Sequence, residues 1–259
     1  MVEPAPDKTQ YGMPLRSHRY IVVACEVVYH ELCACAAKSA NPVDLLFIDQ
    51  ALHSVGSTQM PLALQARLDE IDTSRYTAIL LGYGLCNNGI CGLTADIPIV
   101  IPRAHDCITL FMGSKEVYRK YFDEHPGSFY GTSGWLELDN NRDESDFYSE
   151  EKRREFFSQY GEDAADFLME TLFSFEKYYK YYCFVNTGMG DVEANRKSVM
   201  KRAEEAGWEF REVEGSSAIF QHMVDGDWND QEFLVIEPGS TVAPSYTDDI
   251  IKLVSVPVG

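Results

Sequence analysis

Three cysteines stand just after short apolar runs, which is where a sheet delivers side chains to a ligand. Cys25 follows YIVVA, Cys86 follows AILLGYGL and Cys107 follows IVIPRAHD. Glu26 comes directly after Cys25, and His53 closes the segment VDLLFIDQALH. Arg103, His105 and Asp106 lead into Cys107. Thiolates are soft, strongly donating ligands for zinc or iron–sulfur clusters. Three protein ligands with an open fourth position make a working metal, because water or substrate fills the opening. The expected ligands are therefore Cys25, Cys86 and Cys107, with His53 filling or flanking the fourth position. Glu26, His105 and Asp106 are the expected general acid/base groups. Gly82, Gly84 and Gly89 suit a loop whose backbone approaches a ligand closely or takes positive φ, and Gly84, Asn88 and Gly89 are its expected substrate-binding positions. Its amides, with Arg103, would hold a small anionic substrate.

These residues need elements to gather them. Tyr20–Ala24, Val43–Ile48, Ala78–Gly82 and Ile97–Ile101 are short β-branched runs that read as buried strands. Residues 26–38 and 61–72 read as helices between them, the second with Pro61 in its first turn. Strands alternating with helices predict an α/β fold: doubly wound parallel sheet, in two βα halves joined by a helical insertion. In such sheets ligands sit outside the carboxyl ends of the strands. The expected divisions are a flexible arm at 1–18, a βα half carrying the Cys/His site at 19–139, a helical insertion at 140–178 and a second βα half at 179–259. Within them, 127–138 reads as an extended hairpin. The rhythm then resumes with a strand at 181–186, a helix at 192–206, a strand at 208–213, a helix at 217–225 and a strand at 232–236. Whether the halves share one sheet is open.

Blander readings compete. Free cysteine often packs as a small hydrophobe, and no CxxC pair marks a zinc site. Cys33, Cys35, Cys91 and Cys183 are assigned to packing. His18, His30, His125 and His222 have no partner in sequence. The GYGLCNNG loop lacks nucleotide-binding spacing, so no nucleotide is expected. Two alternatives to a metal-dependent transferase or hydrolase stand: a non-enzymatic carrier of metal or small molecule, and a metal-free cysteine nucleophile. In the last, Cys107 pairs with His105, since residues two apart on a strand share a face.

Composition narrows the partners. The chain has 259 residues, 41 acidic against 22 basic, for a formal net charge of -19. Such acidity argues against nucleic acid, whose binding needs Lys and Arg to displace counterions, and against anionic membrane surfaces. No apolar run is long enough to span a bilayer. An odd cysteine count with no secretory signal predicts a reducing, cytoplasmic location.

Long segments are also familiar. ACEVVYHEL, LDEIDTSRYTAILLGYGLCNNGICGLTA, IPRAHDCITLFMGSKEVYRKYFDEHPGSFYGTSGW and VEGSSAIFQHMVDGDWNDQEFLVIEPG together resemble a prokaryotic family known only as domain of unknown function 1638. The resemblance implies hallmark positions at Cys25, Glu26, His53, Gly84, Cys86, Asn88, Gly89, Arg103, His105, Asp106 and Cys107. It also implies association with corrinoid-dependent methyl transfer and one-carbon metabolism, with a methyltransferase or corrinoid protein as partner. Direct corrinoid binding is not expected. The usual D-x-H-x-x-G signature is matched only by Asp49, His53 and Gly56, one spacing too long.

Overall fold

A computed structural model describes residues 18–140, 157–158, 161 and 177–255, without the side chains of 53–57 and 139–140. Nearly all of the expected arm, and all but a few residues of the expected insertion, lie outside the described residues. So does the side chain of His53.

The first sheet has five strands in the order β2-β1-β3-β4-β8. These are β1 (Tyr20–Cys25), β2 (Val43–Ile48), β3 (Ala78–Gly82), β4 (Ile99–Pro102) and β8 (Phe233–Ile236). Every residue of β1, β3 and β4 is buried. That matches their Val/Ile/Leu-rich sequences, since a parallel strand covered on both faces has no polar side to alternate with. β2 is half-buried throughout and lies at the edge. Its Asp44 accepts hydrogen bonds from Arg19 and Tyr76, which places charge where an open edge needs protection.

Helices α1 (Tyr29–Lys38) and α2 (Gly56–Asp69) connect the first three strands. Pro61 falls inside α2 instead of in its first turn. Strand order runs outward from β1 to β2, then reverses to β3 on the other side. The reversal opens a crevice between the carboxyl ends of β1 and β3, the usual place for a ligand.

After α3 (Cys107–Phe111) and α4 (Lys115–Glu124) the chain enters a second, three-stranded parallel sheet. Its order is β5-β6-β7, from β5 (Ser128–Thr132), β6 (Tyr181–Asn186) and β7 (Glu209–Glu214). The expected hairpin at 127–138 is instead β5 followed by helix α5 (Ser133–Asn140). Gly127 does take positive φ in a turn before β5, whereas Gly134 serves close packing. A Cβ on Gly134 would fall 1.8 Å from the Val27 carbonyl oxygen, so only glycine lets α5 sit on the turn after β1.

Helix α6 (Val192–Ala206) runs as expected between an Asp191 N-cap and left-handed Gly207. The chain then returns. Helix α7 (Ala218–Asp225) packs on α1, and β8 pairs antiparallel with β4. The two halves are therefore interleaved: β5 joins the later strands and β8 joins the earlier ones. Strands β9 (Ser240–Pro244) and β10 (Ile251–Ser255) form an antiparallel pair of their own. One hydrophobic core runs through the first sheet and reaches Val185 and Val213 of the second. The fold is α/β with mostly parallel sheets. Among the described residues no helix is long and apolar enough to cross a membrane.

Candidate functional site

The three expected thiols stand at or after the carboxyl ends of the neighbouring strands β1, β3 and β4, near enough to act on one another electrostatically. Cys25 ends β1 and is buried. Cys86 lies in the loop after β3, and Cys107 opens α3 after β4. Two backbone bonds hold these loops together: Leu85 N–H to Ala104 O at 2.8 Å, and Cys86 N–H to His105 O at 2.9 Å. Gly84 permits the contact, since a Cβ there would lie 2.7 Å from the Asp106 nitrogen. Gly89 packs the same way against Met60. Neither glycine takes positive φ. That conformation falls instead on Cys86, Asn87 and Asn88, at φ 46°, 55° and 67°. Three successive left-handed residues outside glycine are costly, about 1–2 kcal/mol each, and asparagine tolerates them best. Such strain persists where surrounding structure imposes it, often at functional sites. Asn87 and Asn88 are exposed, and their N–H groups find no partner among the described residues.

The thiols feel one another. Burial pushes Cys86 up to about 12, and Asp106 and Cys25 add to the rise. Cys107 is pushed well above the ordinary thiol value by burial first, then by Asp106 and Cys86. Each residue keeps some exposed surface, yet its sulfur is packed among protein atoms. Two groups oppose the rise. The Gly84 backbone acts on Cys86 in the sense that favours thiolate, and Trp135 Nε1–H donates to Cys107 Sγ at 3.3 Å. No Lys or Arg of the described residues is among the main groups acting on either thiol. Buried Tyr83 lies close enough to Cys25, Cys86 and Glu26 for all three to raise its pKa beyond what burial does. Among the described residues, no three His, Cys, Asp or Glu side chains are gathered closely enough to hold an ion as they stand.

The other expected site residues divide. Glu26 accepts from Gln50 N–H at 2.9 Å, tying the end of β1 to the end of β2. Asp106 is the N-cap of α3, accepting from Thr109 N–H at 3.0 Å and from the Thr109 hydroxyl at 3.1 Å. Both carboxylates thus serve local structure beside the thiols. His105 is exposed. Its expected strand alignment with Cys107 does not occur, because β4 ends at Pro102 and Cys107 already begins a helix. Arg103 is not brought to the thiols. Its Nε donates to Asp230 O and Phe233 O, and its Nη1 to Asp249 O and Ile251 O, so it clamps β8 and β10. A guanidinium's five fixed donors suit carbonyls as well as anions.

All seven cysteines are free. Cys35 and Cys183 are buried, as packing residues should be. Cys33 is exposed on α1, and Cys91 sits half-buried in a turn instead of a helix. His222 contacts Glu232 at 2.9 Å.

A second polar cluster, with no sequence signature, joins the two sheets. Glu137 on α5 accepts from Tyr29 at 2.8 Å and Asn195 at 3.1 Å, and pairs with His30 at 2.7 Å. Beside it Glu31 is buried, with Oε1 bonded to Thr187 and Oε2 lacking a partner. Trp135 is the other residue that sequence did not single out. Nothing in GTSGW announces a contact with the earlier loop.

No curated protein and no solved structure matches this chain. A family model described as "Protein of unknown function (DUF1638)" matches residues 47–224, with Cys86 and Cys107 inside and Cys25 and Glu26 before it. The match spans well over half of the sequence, and the chain belongs to that family.

Proposed function

We propose that Cys25, Cys86 and Cys107 form a thiolate centre for a soft metal, zinc or an iron–sulfur cluster, in the crevice at the carboxyl end of the first sheet. The observation that carries this reading is the pattern of donors. The Gly84 backbone acts on Cys86, and the Trp135 indole N–H on Cys107, in the sense that favours thiolate, while Cys86 and Cys25 raise Cys107, and no Lys or Arg of the described residues is among the main groups acting on either sulfur. Neutral thiols are weak acceptors. A metal cation supplies the missing charge and makes the sulfurs strong acceptors. It would also have to draw the thiols closer together than they stand.

An ion held there polarises a bound small molecule or activates a thiol for methyl transfer. The corrinoid-linked partner suggested by the resemblance fits that chemistry. Such a site works in a reducing cytoplasm. Recognition of an anionic group rests on the N–H groups of Asn87 and Asn88, since Arg103 is engaged elsewhere.

One observation favours a carrier over an enzyme. Glu26 and Asp106 each commit an oxygen to a backbone N–H, which leaves the expected acid/base groups tied. The metal-free nucleophile has less support, because a reactive cysteine needs a lowered pKa and Cys107 is pushed the other way.

Metal analysis of anaerobically purified protein tests the reading. The expected result is about one equivalent of zinc, or iron with labile sulfide, lost in Cys86→Ser and Cys107→Ser and kept in Cys35→Ser. Less than about half an equivalent, the same in all four proteins, would sink it. Glu26→Gln and Asp106→Asn then separate carriage from catalysis: a carrier keeps its metal affinity in both and turns nothing over.

A further inference from the structure

Glu31 lies where α1 meets the second sheet, and it is 1% exposed. Its Oε1 accepts from the Thr187 hydroxyl, just past β6, and its Oε2 has no partner among the described residues. The neighbouring imidazole faces another carboxylate: His30 Nε2 stands 2.7 Å from Glu137 Oε2. The groups facing Glu31 are Thr187, Glu137 on α5, and Tyr29, His30 and Cys35 on its own helix. Asp225 of α7 and Lys38 act on Cys35, one turn on. No Lys or Arg of the described residues is among the main groups acting on Glu31. A buried carboxylate with one neutral donor and a like charge beside it is costly, and the acid form is not. Burial accordingly raises the Glu31 pKa, with Glu137 adding to the rise and Thr187, its own backbone and His30 opposing it. The same seam covers a thiol. Gly134 of α5 sits against the Val27 carbonyl, and Trp135 beside it contacts Cys107 Sγ at 3.3 Å. We propose that Glu31 is a proton-operated catch. Neutral, it closes α1 on the Thr187 loop and α5; ionised, it lets that seam open and uncovers Cys107. The proposal rests on the seam alone, apart from any metal at the thiols. The closed seam keeps a proton that the open one releases to water. Opening therefore grows as pH rises above the ordinary carboxylate value, by up to about tenfold per pH unit, and levels off once Glu31 ionises in the closed form.

The test is iodoacetamide labelling of the full chain, read cysteine by cysteine by mass spectrometry from about pH 5 to 8. A chelator in every sample keeps metal from shielding Cys107. Below about pH 8 uncovered thiols stay mostly protonated, so their own titration does not drive opening. Exposed Cys33 supplies the reference rate at each pH, and Cys183, buried in the second sheet, reports global unfolding. In the wild type the Cys107 rate relative to Cys33 should climb with pH by about tenfold or more, while the Cys183 rate relative to Cys33 does not. In Glu31→Gln, which cannot ionise, the climb should vanish. If that variant does not fold, Glu31→Met takes its place. A flat Cys107 ratio in the wild type, a climb matched by Cys183, or the same climb in the variant overturns the catch. None of these outcomes bears on the thiol centre, whose metal content is measured separately.

Discussion

Two polar clusters sit at the seam between the sheets, and they are finished to different degrees. Glu137 is saturated. Burial alone would lift its pKa, but hydrogen bonds from His30, Tyr29 and Asn195 outweigh that and hold it below the ordinary carboxylate value. Cys86 and Cys107 are pushed up by burial and by Asp106, and no Lys or Arg of the described residues is among the main groups acting on them. A satisfied network fixes a structure, whereas a buried polar group left short of partners needs an explanation, and Glu31 Oε2 beside Glu137 is one such group too. Glu137 with its neighbours reads as a latch between α1, α5 and α6. The sulfurs read as a socket.

That contrast can be broken, and the largest effect concerns the metal. Glu137→Ala should keep the full metal content that Cys86→Ser and Cys107→Ser lose, measured on protein purified in parallel. Loss of metal from Glu137→Ala would merge the two clusters into one site. Next comes pH. Thiols raised by burial are protonated without metal, so binding must release protons and affinity must climb with pH. The apparent Kd for zinc should tighten by at least about tenfold per pH unit between about pH 6 and 8, read by competition with a chelator. A flat profile would mean that the sulfurs are not the ligands.

Smaller effects probe the latch. Glu137→Ala should lower stability by about 1–3 kcal/mol in urea unfolding, from several lost bonds to a charged acceptor. Because its folded pKa is depressed, its contribution is present above the unfolded carboxylate value and is lost as pH falls through the folded one. The wild-type advantage should therefore shrink on acidification below about pH 4.5. Glu31 has the opposite sign. Burial raises its pKa despite the Thr187 hydrogen bond, so its contribution is present at low pH and lost as pH rises through the folded value. Glu31→Gln, which cannot ionise, should gain on wild type as pH rises from about 4 to 8, by about 2–4 °C in Tm per kcal/mol relieved. A gap that narrows with pH would show that Glu31 is ionised and satisfied in the folded protein.

What sequence could convey here was local. Strands β1, β2, β3 and β6, together with α6, are announced by β-branched runs or a capped periodic segment, and they lie close to where sequence puts them. Because β1, β3 and β4 are parallel neighbours, the residues after them share an edge, and Cys25, Cys86 and Cys107 could be grouped without coordinates. Long-range choices carry no local mark. FLVI reads as a strand, but nothing in it says that it turns antiparallel to β4 in the other sheet. Arg103 looks like an anion binder until the four carbonyls around it are seen. The glycines after β3 suggested close approach of the backbone to a ligand or positive φ, and the loop puts positive φ on Cys86, Asn87 and Asn88 while glycine relieves crowding against protein atoms. The Glu137 latch assembles three helices that are far apart along the chain, which no window of sequence can display.

The return of β8 also has a consequence for synthesis. Ile99 pairs with Ile236, so the inner strand β4 lies ready long before its neighbour leaves the ribosome. Until then, β4 presents an open, wholly apolar edge beside the emerging thiols. Slow non-local pairing and exposed strand edges are what chaperones attend to. The nascent chain passes through that interval each time the protein is made, and the Arg103 clamp is complete only once β10 has followed β8.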